Sequence, residues 1–278
     1  MQLIVFLNLK LHIFDLSKSS CKYRNQRRPV YKGCKAVVFH SKTDHKIMCF
    51  IFYNSEMDQN IKIAVLGGGG RTGRYLVNHL LSRGYHVKVL LRAKPERLQM
   101  SDNQFPSNLS DPHLEIVKGD AVVYADIRNL LSGCEAVIST LGQRAGEPMV
   151  ASRATTHILS VMDEFAIRRY ILVAGINVDT PTDRKGPKTK AATEWMKGQF
   201  PEIHEDRARA YDLLSESSVD WTIVRLPMIT YSMDLYPVAT DTSDCPGETI
   251  GAASVAVFLE EQLWDRTYIS KAPFLYHL

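Results

Sequence analysis

The chain has 278 residues, of which 45% are hydrophobic and 23% charged, with a formal net charge of +4; this is enough chain for one large α/β domain or two small ones, at an ordinary globular composition. The charge is uneven, because residues 1–57 hold ten of the 34 Lys and Arg but only three of the 30 acidic residues, and residues 58–278 are net acidic. The charge balance therefore gives no support to a nucleic-acid partner, and five cysteines without a C-x-x-C pair signal neither a zinc site nor a disulfide framework.

The opening MQLIVFLNLKLHIFDL is apolar, but Lys10, His12 and Asp15 interrupt it before the roughly 20 residues that a spanning helix needs. It has no basic n-region and no small-x-small cleavage site, so neither secretion nor membrane insertion is expected. A reducing, cytoplasmic location is the resulting expectation. From Ser17 to Asn60 neither a helical nor a strand period is sustained. Residues 1–57 are therefore expected to be an extension outside the fold, with Met57 as a natural start, and residues 58–278 to form one domain.

From Ile61 the pattern changes. IKIAVLG reads as a short buried strand, and the glycines after it lead into the helix RTGRYLVNHLLSRG, with Leu76, Val77, Leu80 and Leu81 on one stripe and Gly84 as its stop. YHVKVLLR is a second strand and HLEIVKGD a third, separated by a short helix near Lys94 to Met100 and a polar loop containing Pro106 and Pro112. DIRNLLSG is a helix stopped by Gly133, and EAVISTLG is strand four. Val150, Ala154, Ile158, Val161, Met162 and Phe165 recur at helical spacing, and RRYILVAG is strand five. Next come the polar loop INVDTPTDRKGPK, helices near Lys190 to Lys197 and Glu205 to Ser217, the strand DWTIVRLP, an irregular stretch from Thr230 to Gly247, and a last helix AASVAVFLEEQL. Buried strands alternating with helices predict a doubly wound parallel sheet of Rossmann type, α/β in class, as a single domain with irregular insertions on its C-terminal, substrate side. Ligands of such sheets sit outside the carboxyl ends of the strands, so the two irregular stretches are expected to wall a substrate pocket.

Gly67, Gly70 and Gly73 form G-x-x-G-x-x-G at a strand-to-helix junction, with Arg71 and Thr72 inside it. A dinucleotide pyrophosphate needs such a tight turn, close backbone approach and a helix N-terminus. At the end of strand two, where NAD-specific sites place an acidic residue, stands Arg92, with Lys94 and Arg97 close behind. This cluster suits the 2′-phosphate of NADP(H); the competing reading is a solvated basic edge. Asp120 and Ala121 end strand three, where a carboxylate reaches toward the adenine amino group, although Asp is equally a routine turn former. Thr140, Leu141 and Gly142 end strand four and Ala174 ends strand five; all four are expected to face the cofactor.

Together these pieces resemble the atypical short-chain dehydrogenase/reductase family, in particular its NmrA-like and flavin-reductase-like (biliverdin reductase B-like) members. The resemblance runs from Ile61 to Leu278 through GGGGRTG, Arg92, KGDA, ISTLG, RRYILVAG, SSVDWTIVRLP and EEQLWDRTYISKAPF. It implies the fold and NADP(H) binding more strongly than any reaction. Carbonyl-reducing relatives place a Ser where this chain has Ala174-Gly175, and no Tyr-x-x-x-Lys occurs; aligned helices put those two positions near Ile203 and Arg207. The flavin-reductase-like members tend to carry a His where Met228 stands.

Asn177, His204, Arg207, Tyr211 and Tyr231 remain as polar groups near the expected pocket, with Tyr211 and Asn177 the weak catalytic candidates. The reading of function is an NADPH-dependent reductase that delivers hydride to a small planar acceptor, a flavin, quinone or conjugated carbonyl. Its competitor is a non-enzymatic NADP(H)-binding regulator, with an epimerase or dehydratase behind both. The expected partner is a small-molecule substrate, with no nucleic acid, membrane or metal, and the sequence leaves the oligomeric state open.

Overall fold

A computed structural model describes residues 61–92, 110–143, 146–147 and 149–278, together with the backbone of three short strands, β1 (Leu11–Ile13), β2 (Val37–His40) and β3 (Lys46–Cys49). The expected helix near Lys94 to Met100, and with it Lys94 and Arg97, falls outside the described residues.

The domain begins with β4 (Lys62–Leu66), α1 (Arg71–Ser82), β5 (His86–Leu91), β6 (Leu114–Lys118), α2 (Tyr124–Leu131), β7 (Ala136–Ser139), α3 (Val150–Glu164) and β8 (Arg169–Gly175). It continues through α4 (Pro187–Gln199), α5 (Pro201–Ser215), β9 (Asp220–Leu226), β10 (Met228–Thr230), β11 (Val238–Asp241), β12 (Thr249–Gly251), α6 (Ala252–Glu261) and β13 (Phe274–His277). The sheet runs β6-β5-β4-β7-β8-β9-β13-β11. All neighbours are parallel except the β13–β11 pair. This is the predicted Rossmann-type α/β fold, and the chain reverses its direction of winding between β4 and β7.

Successive strand residues face opposite sides of a sheet, and the apolar core splits accordingly. Ile63, Val65, Val87, Val89, Ile138 and Val224 pack on one face against α1 and α6, through Leu76, Leu80, Val255 and Phe258. Ala64, Leu66, Leu90, Val137, Leu172 and Ile223 pack on the other against α2, α3 and α5, through Ile127, Ile158, Met162 and Leu214. Strands buried on both faces are why these segments read as continuous apolar runs rather than alternating ones. Gly84 (φ +84°) and Gly133 (φ +74°) adopt the left-handed conformation expected of helix stops.

Several boundaries differ from expectation. Helices α4 and α5 start at Pro187 and Pro201 rather than near Lys190 and Glu205, because proline is pre-set for the first helical position. The stretch from Thr230 to Gly247 is less irregular than it reads, since β11 lies inside it, and the C-terminal tail supplies β13. Both strands have only four residues, too few for a period to show. Beyond β11, the antiparallel strands β3, β2 and β1 continue the sheet, with Lys46 to Met48 paired to Thr240 to Val238.

Candidate cofactor-binding site

The carboxyl ends of β4, β5, β6 and β7 enclose a cleft of about 240 Å³ at the point where the winding reverses. Its lining includes Gly67, Gly70, Arg92, Asp120, Ala121, Thr140, Leu141 and Gly142, all of them expected from sequence. Gln143, Glu147 and Val150 line it as well.

The floor is built by backbone approach. Gly67 has φ +76°, and a Cβ there would lie 2.7 Å from the carbonyl carbon and oxygen of Thr140; a side chain would force β4 and β7 apart where they end. The Gly70 N–H donates to the Gly67 carbonyl at 2.8 Å, closing the turn. Gly70 then caps α1 with no side-chain hydrogen bond, and no acidic residue stands in the first turn. An N-terminus without a capping side chain leaves positive dipole and N–H donors facing the cleft. Such a cradle, filled by no side chain, fits a dinucleotide pyrophosphate.

Two expectations need adjustment. The Thr140 hydroxyl donates to the Leu66 carbonyl at 3.1 Å, so its proton tethers β7 to β4 and is not free for a ligand. Arg71 leans away from the cleft lining and stacks on Tyr231, its guanidinium carbon 4.7 Å from the ring centroid. Thr72 is half-buried in the same turn, and Gly73 is buried under it.

Arg92 leaves the end of β5 and reaches two carboxylates, Glu147 at 2.8 Å and Asp120 at 3.3 Å. The hydrogen bond to Glu147 is the largest influence on its guanidinium and, with the hydrogen bond and charge of Asp120, outweighs the opposing effect of burial and pushes the pKa further up. Asp120 is oriented by its own turn, since its Oδ1 accepts the Val122 N–H at 3.1 Å. Gly119 is needed just before it, because a Cβ there would lie 2.6 Å from the Asp126 carboxyl carbon.

The far wall is held from α5. Asp206, fully buried, accepts the Ala151 and Ser152 N–H groups at 2.8 Å each, which caps α3 from another helix. Arg207 beside it donates to the carbonyl of cleft-lining Leu141, while its Nη1 has no partner. Burial lowers the Arg207 pKa, against the opposing pull of Asp206. Sequence reasoning named Arg207 and missed Asp206 and Glu147. An acidic residue on an amphipathic helix or in a loop carries no signal of a partner more than fifty positions away.

Ala174 is buried near the end of β8, and Asn177 lies just beyond it, 2% exposed with its Nδ2 unpartnered. Tyr211 packs edge-on against Trp221 at 6.1 Å, and burial raises its pKa. The loop after β8 is anchored by ions: fully buried Arg225 bonds both Asp183 oxygens at 2.7 and 2.8 Å, and Lys185 reaches Asp179 at 2.6 Å. Met228 in β10, and Tyr231, Met233, Leu235 and Tyr236 in the second irregular stretch, are exposed. Among the described residues, no helix is long and apolar enough to cross a membrane, and no cluster of His, Cys, Asp and Glu could hold a metal.

Comparison with known proteins agrees with this geometry. The chain is 26% identical over 126 residues to cinnamoyl-CoA reductase 1 of Oryza sativa subsp. japonica, 44% of this chain and 36% of that protein. It is 28% identical over 146 residues to a putative dihydroflavonol 4-reductase of Synechocystis, 49% of this chain and 40% of that protein. The matches thus span well under half of either relative. Among solved structures, a short-chain dehydrogenase/reductase of Veillonella parvula in complex with NADP superposes with TM-score 0.64 at 16% identity, covering 78% of this chain and 94% of that one. ChuY, an anaerobilin reductase of Escherichia coli O157:H7, gives TM-score 0.62 at 16% identity over 78% and 97%. At such identities the likeness establishes the fold. The sequence model of the NAD(P)H-binding family matches residues 67–266, most of the chain. This chain is a member of that family, an NAD(P)H-binding protein of Rossmann fold.

Proposed function

We propose that the protein binds NADP(H) in preference to NAD(H) and acts as an NADPH-dependent reductase toward a small planar acceptor such as a flavin, quinone or conjugated carbonyl. One observation carries the reading: the uncapped start of α1 and the Arg92 guanidinium face the same cleft at the reversal of the sheet. That geometry suits a pyrophosphate at one point and a 2′-phosphate at the other.

When bound, the dihydronicotinamide supplies a hydride from its C4. The chain's own residues bind and orient. Gly67 and Gly70 let the backbone approach the pyrophosphate, and Arg71, Thr72 and Gly73 at the start of α1 offer it backbone N–H groups and the helix dipole. Arg92 takes the 2′-phosphate, Asp120 and Ala121 border the adenine, and Thr140, Leu141, Gly142 and Ala174 line the remaining length. The exposed apolar residues from Met228 to Tyr236 offer a planar acceptor a surface of matching character. Orientation is most of what a flat hydride acceptor requires, and the accompanying proton comes from solvent. The sequence similarity to cinnamoyl-CoA reductase 1 and to a putative dihydroflavonol 4-reductase supports a reductase over an epimerase or dehydratase.

A second reading, a regulator that binds NADP(H) without turnover, is favoured by Ala174-Gly175 in place of a Ser and by the packing of Tyr211 against Trp221. Steady-state NADPH oxidation with a panel of flavins, quinones and enones separates the two. Turnover dependent on one acceptor class supports the reductase; tight NADPH binding with no oxidation across the panel supports the regulator.

A further inference from the structure

We propose that Glu147 is a specificity-determining residue of the cofactor cleft: its carboxylate engages Nη1 of the Arg92 guanidinium, and its charge opposes the 2′-phosphate that Arg92 receives. The inference rests on the NADP(H) reading and deepens it.

Glu147 and Arg92 lie 55 positions apart and meet at the cleft that both line. The contact is the shorter of the two that Arg92 makes to carboxylates, 2.8 Å against 3.3 Å, and both are made by Nη1. The two carboxylates are not equivalent. Asp120 is turned toward Arg92 by the hydrogen bond from the Val122 N–H, so it belongs to the frame of the site. The main chain at Glu147 is steadied by the Gln143 side-chain amide, which donates to its carbonyl at 3.0 Å. The Glu147 side chain is 38% exposed.

The charge count then sets the consequence. Among the described residues, one guanidinium faces two carboxylates at this end of the cleft. A 2′-phosphate brings roughly −1.5 to −2 more; Nε and Nη2 of Arg92 are left to pair with it, but it must stand beside the Glu147 carboxylate on Nη1 and meets like charge there. The 2′-hydroxyl of NAD(H) is uncharged and meets no such repulsion. Glu147 therefore weakens NADPH binding selectively, and cofactor preference is set by Arg92, Asp120 and Glu147 together rather than by Arg92 alone.

The test is calorimetric titration of NADPH and NADH against the unmodified protein, Glu147→Gln, Arg92→Ala and the double variant at one fixed salt concentration. Glu147→Gln keeps the shape and removes the charge. It is expected to tighten NADPH about three- to tenfold, the scale of freeing one partly exposed ion pair and removing one like charge. NADH should move less than about twofold, and the NADPH gain should shrink in the Arg92→Ala background. No tightening, or a loss, would show that Glu147 positions Arg92 instead of competing for it and would overturn the inference, as would equal tightening of both cofactors. Failure of the underlying reading looks different: the unmodified protein would bind the two cofactors alike and Arg92→Ala would change neither.

Discussion

Gly73 sits so close to Gly67 that a Cβ on Gly73 would stand 2.1 Å from the Gly67 carbonyl oxygen. The obstruction is backbone, and the same oxygen accepts the Gly70 N–H that closes the turn, so neither side can yield cheaply. Gly73→Ala is predicted to weaken cofactor binding more than about tenfold and to destabilise the fold by about 1–3 kcal/mol, the range of overpacking. Gly198→Ala, in α4 with nothing within 4 Å of its Cβ, should instead stabilise by up to about 1 kcal/mol through helix propensity. Urea unfolding of both variants, with cofactor titration of the first, checks the pair.

Glu260 on α6 ties that helix to α1. Its carboxylate accepts the Tyr85 hydroxyl at 3.0 Å and lies 3.2 Å from His79 and 3.7 Å from Arg83. Burial alone would raise its pKa, but the His79 hydrogen bond and charge, with Arg83 and Tyr85, outweigh burial and lower it. A carboxylate depressed on folding stabilises above its unfolded pKa, near 4.3 for Glu, and that contribution is lost as pH falls through the lower folded value. Glu260→Gln is therefore predicted to be less stable at pH 7 by about 1–3 kcal/mol. It should also lose less stability than the unmodified protein between about pH 5 and pH 3. Parallel acid titrations of the two would contradict this.

Tyr211 and Asn177 are the weak catalytic candidates that the sequence offers, Tyr211 being the one that could act as an acid. Tyr211 packs on Trp221 with its acidity reduced by burial, which suits a structural role better than proton transfer. Replacing Tyr211 by Phe, or Asn177 by Ala, is predicted to lower turnover less than about a hundredfold, the lower end of what a positioned acid contributes. A loss near 10⁴-fold in kcat with NADPH affinity intact, roughly the upper end of that contribution, would identify a true donor and displace the solvent-proton proposal.

The frame of the fold was legible because parallel strands buried on both faces leave apolar runs such as IKIAVLG, and because Gly67, Gly84 and Gly133 need positive φ where elements end. The cleft was legible for the same reason at Gly67, Gly70 and Arg92, whose roles come from position along one strand. The hidden features depend on contacts between distant segments. Asp206 capping α3, Glu147 meeting Arg92 and the Arg225–Asp183 pair each join residues 40 or more positions apart, and no local period or spacing encodes them. β11 and β13 were missed because each is too short for its alternation to stand out.

Residues 1–57 remain a proposal as an extension dispensable for binding. Strand β3 pairs with β11 at the sheet edge, on the far side of the sheet from the strands that form the cleft. A protein beginning at Met57 is predicted to bind cofactor within about twofold of the full chain and to melt within a few degrees of it. A fall in Tm well beyond that, with weaker binding, would show that β1 to β3 brace the sheet edge.

Arg92 is the residue that we propose makes this an NADP(H) site. Charge-assisted hydrogen bonds contribute roughly 1.5–3 kcal/mol, which alone would give a preference of about ten- to a hundredfold or more. Glu147 and Asp120 already engage the guanidinium, so the net preference should fall toward the lower end of that range. Titration of NADPH and NADH against the unmodified protein and Arg92→Ala, at fixed salt because partly exposed charges are screened, tests it most directly. The account predicts tighter binding of NADPH by the unmodified protein and a loss of at least about fivefold on Arg92→Ala, with NADH nearly unchanged. Equal affinity of the unmodified protein for both cofactors would contradict it and leave Arg92 as one member of a surface ion-pair cluster.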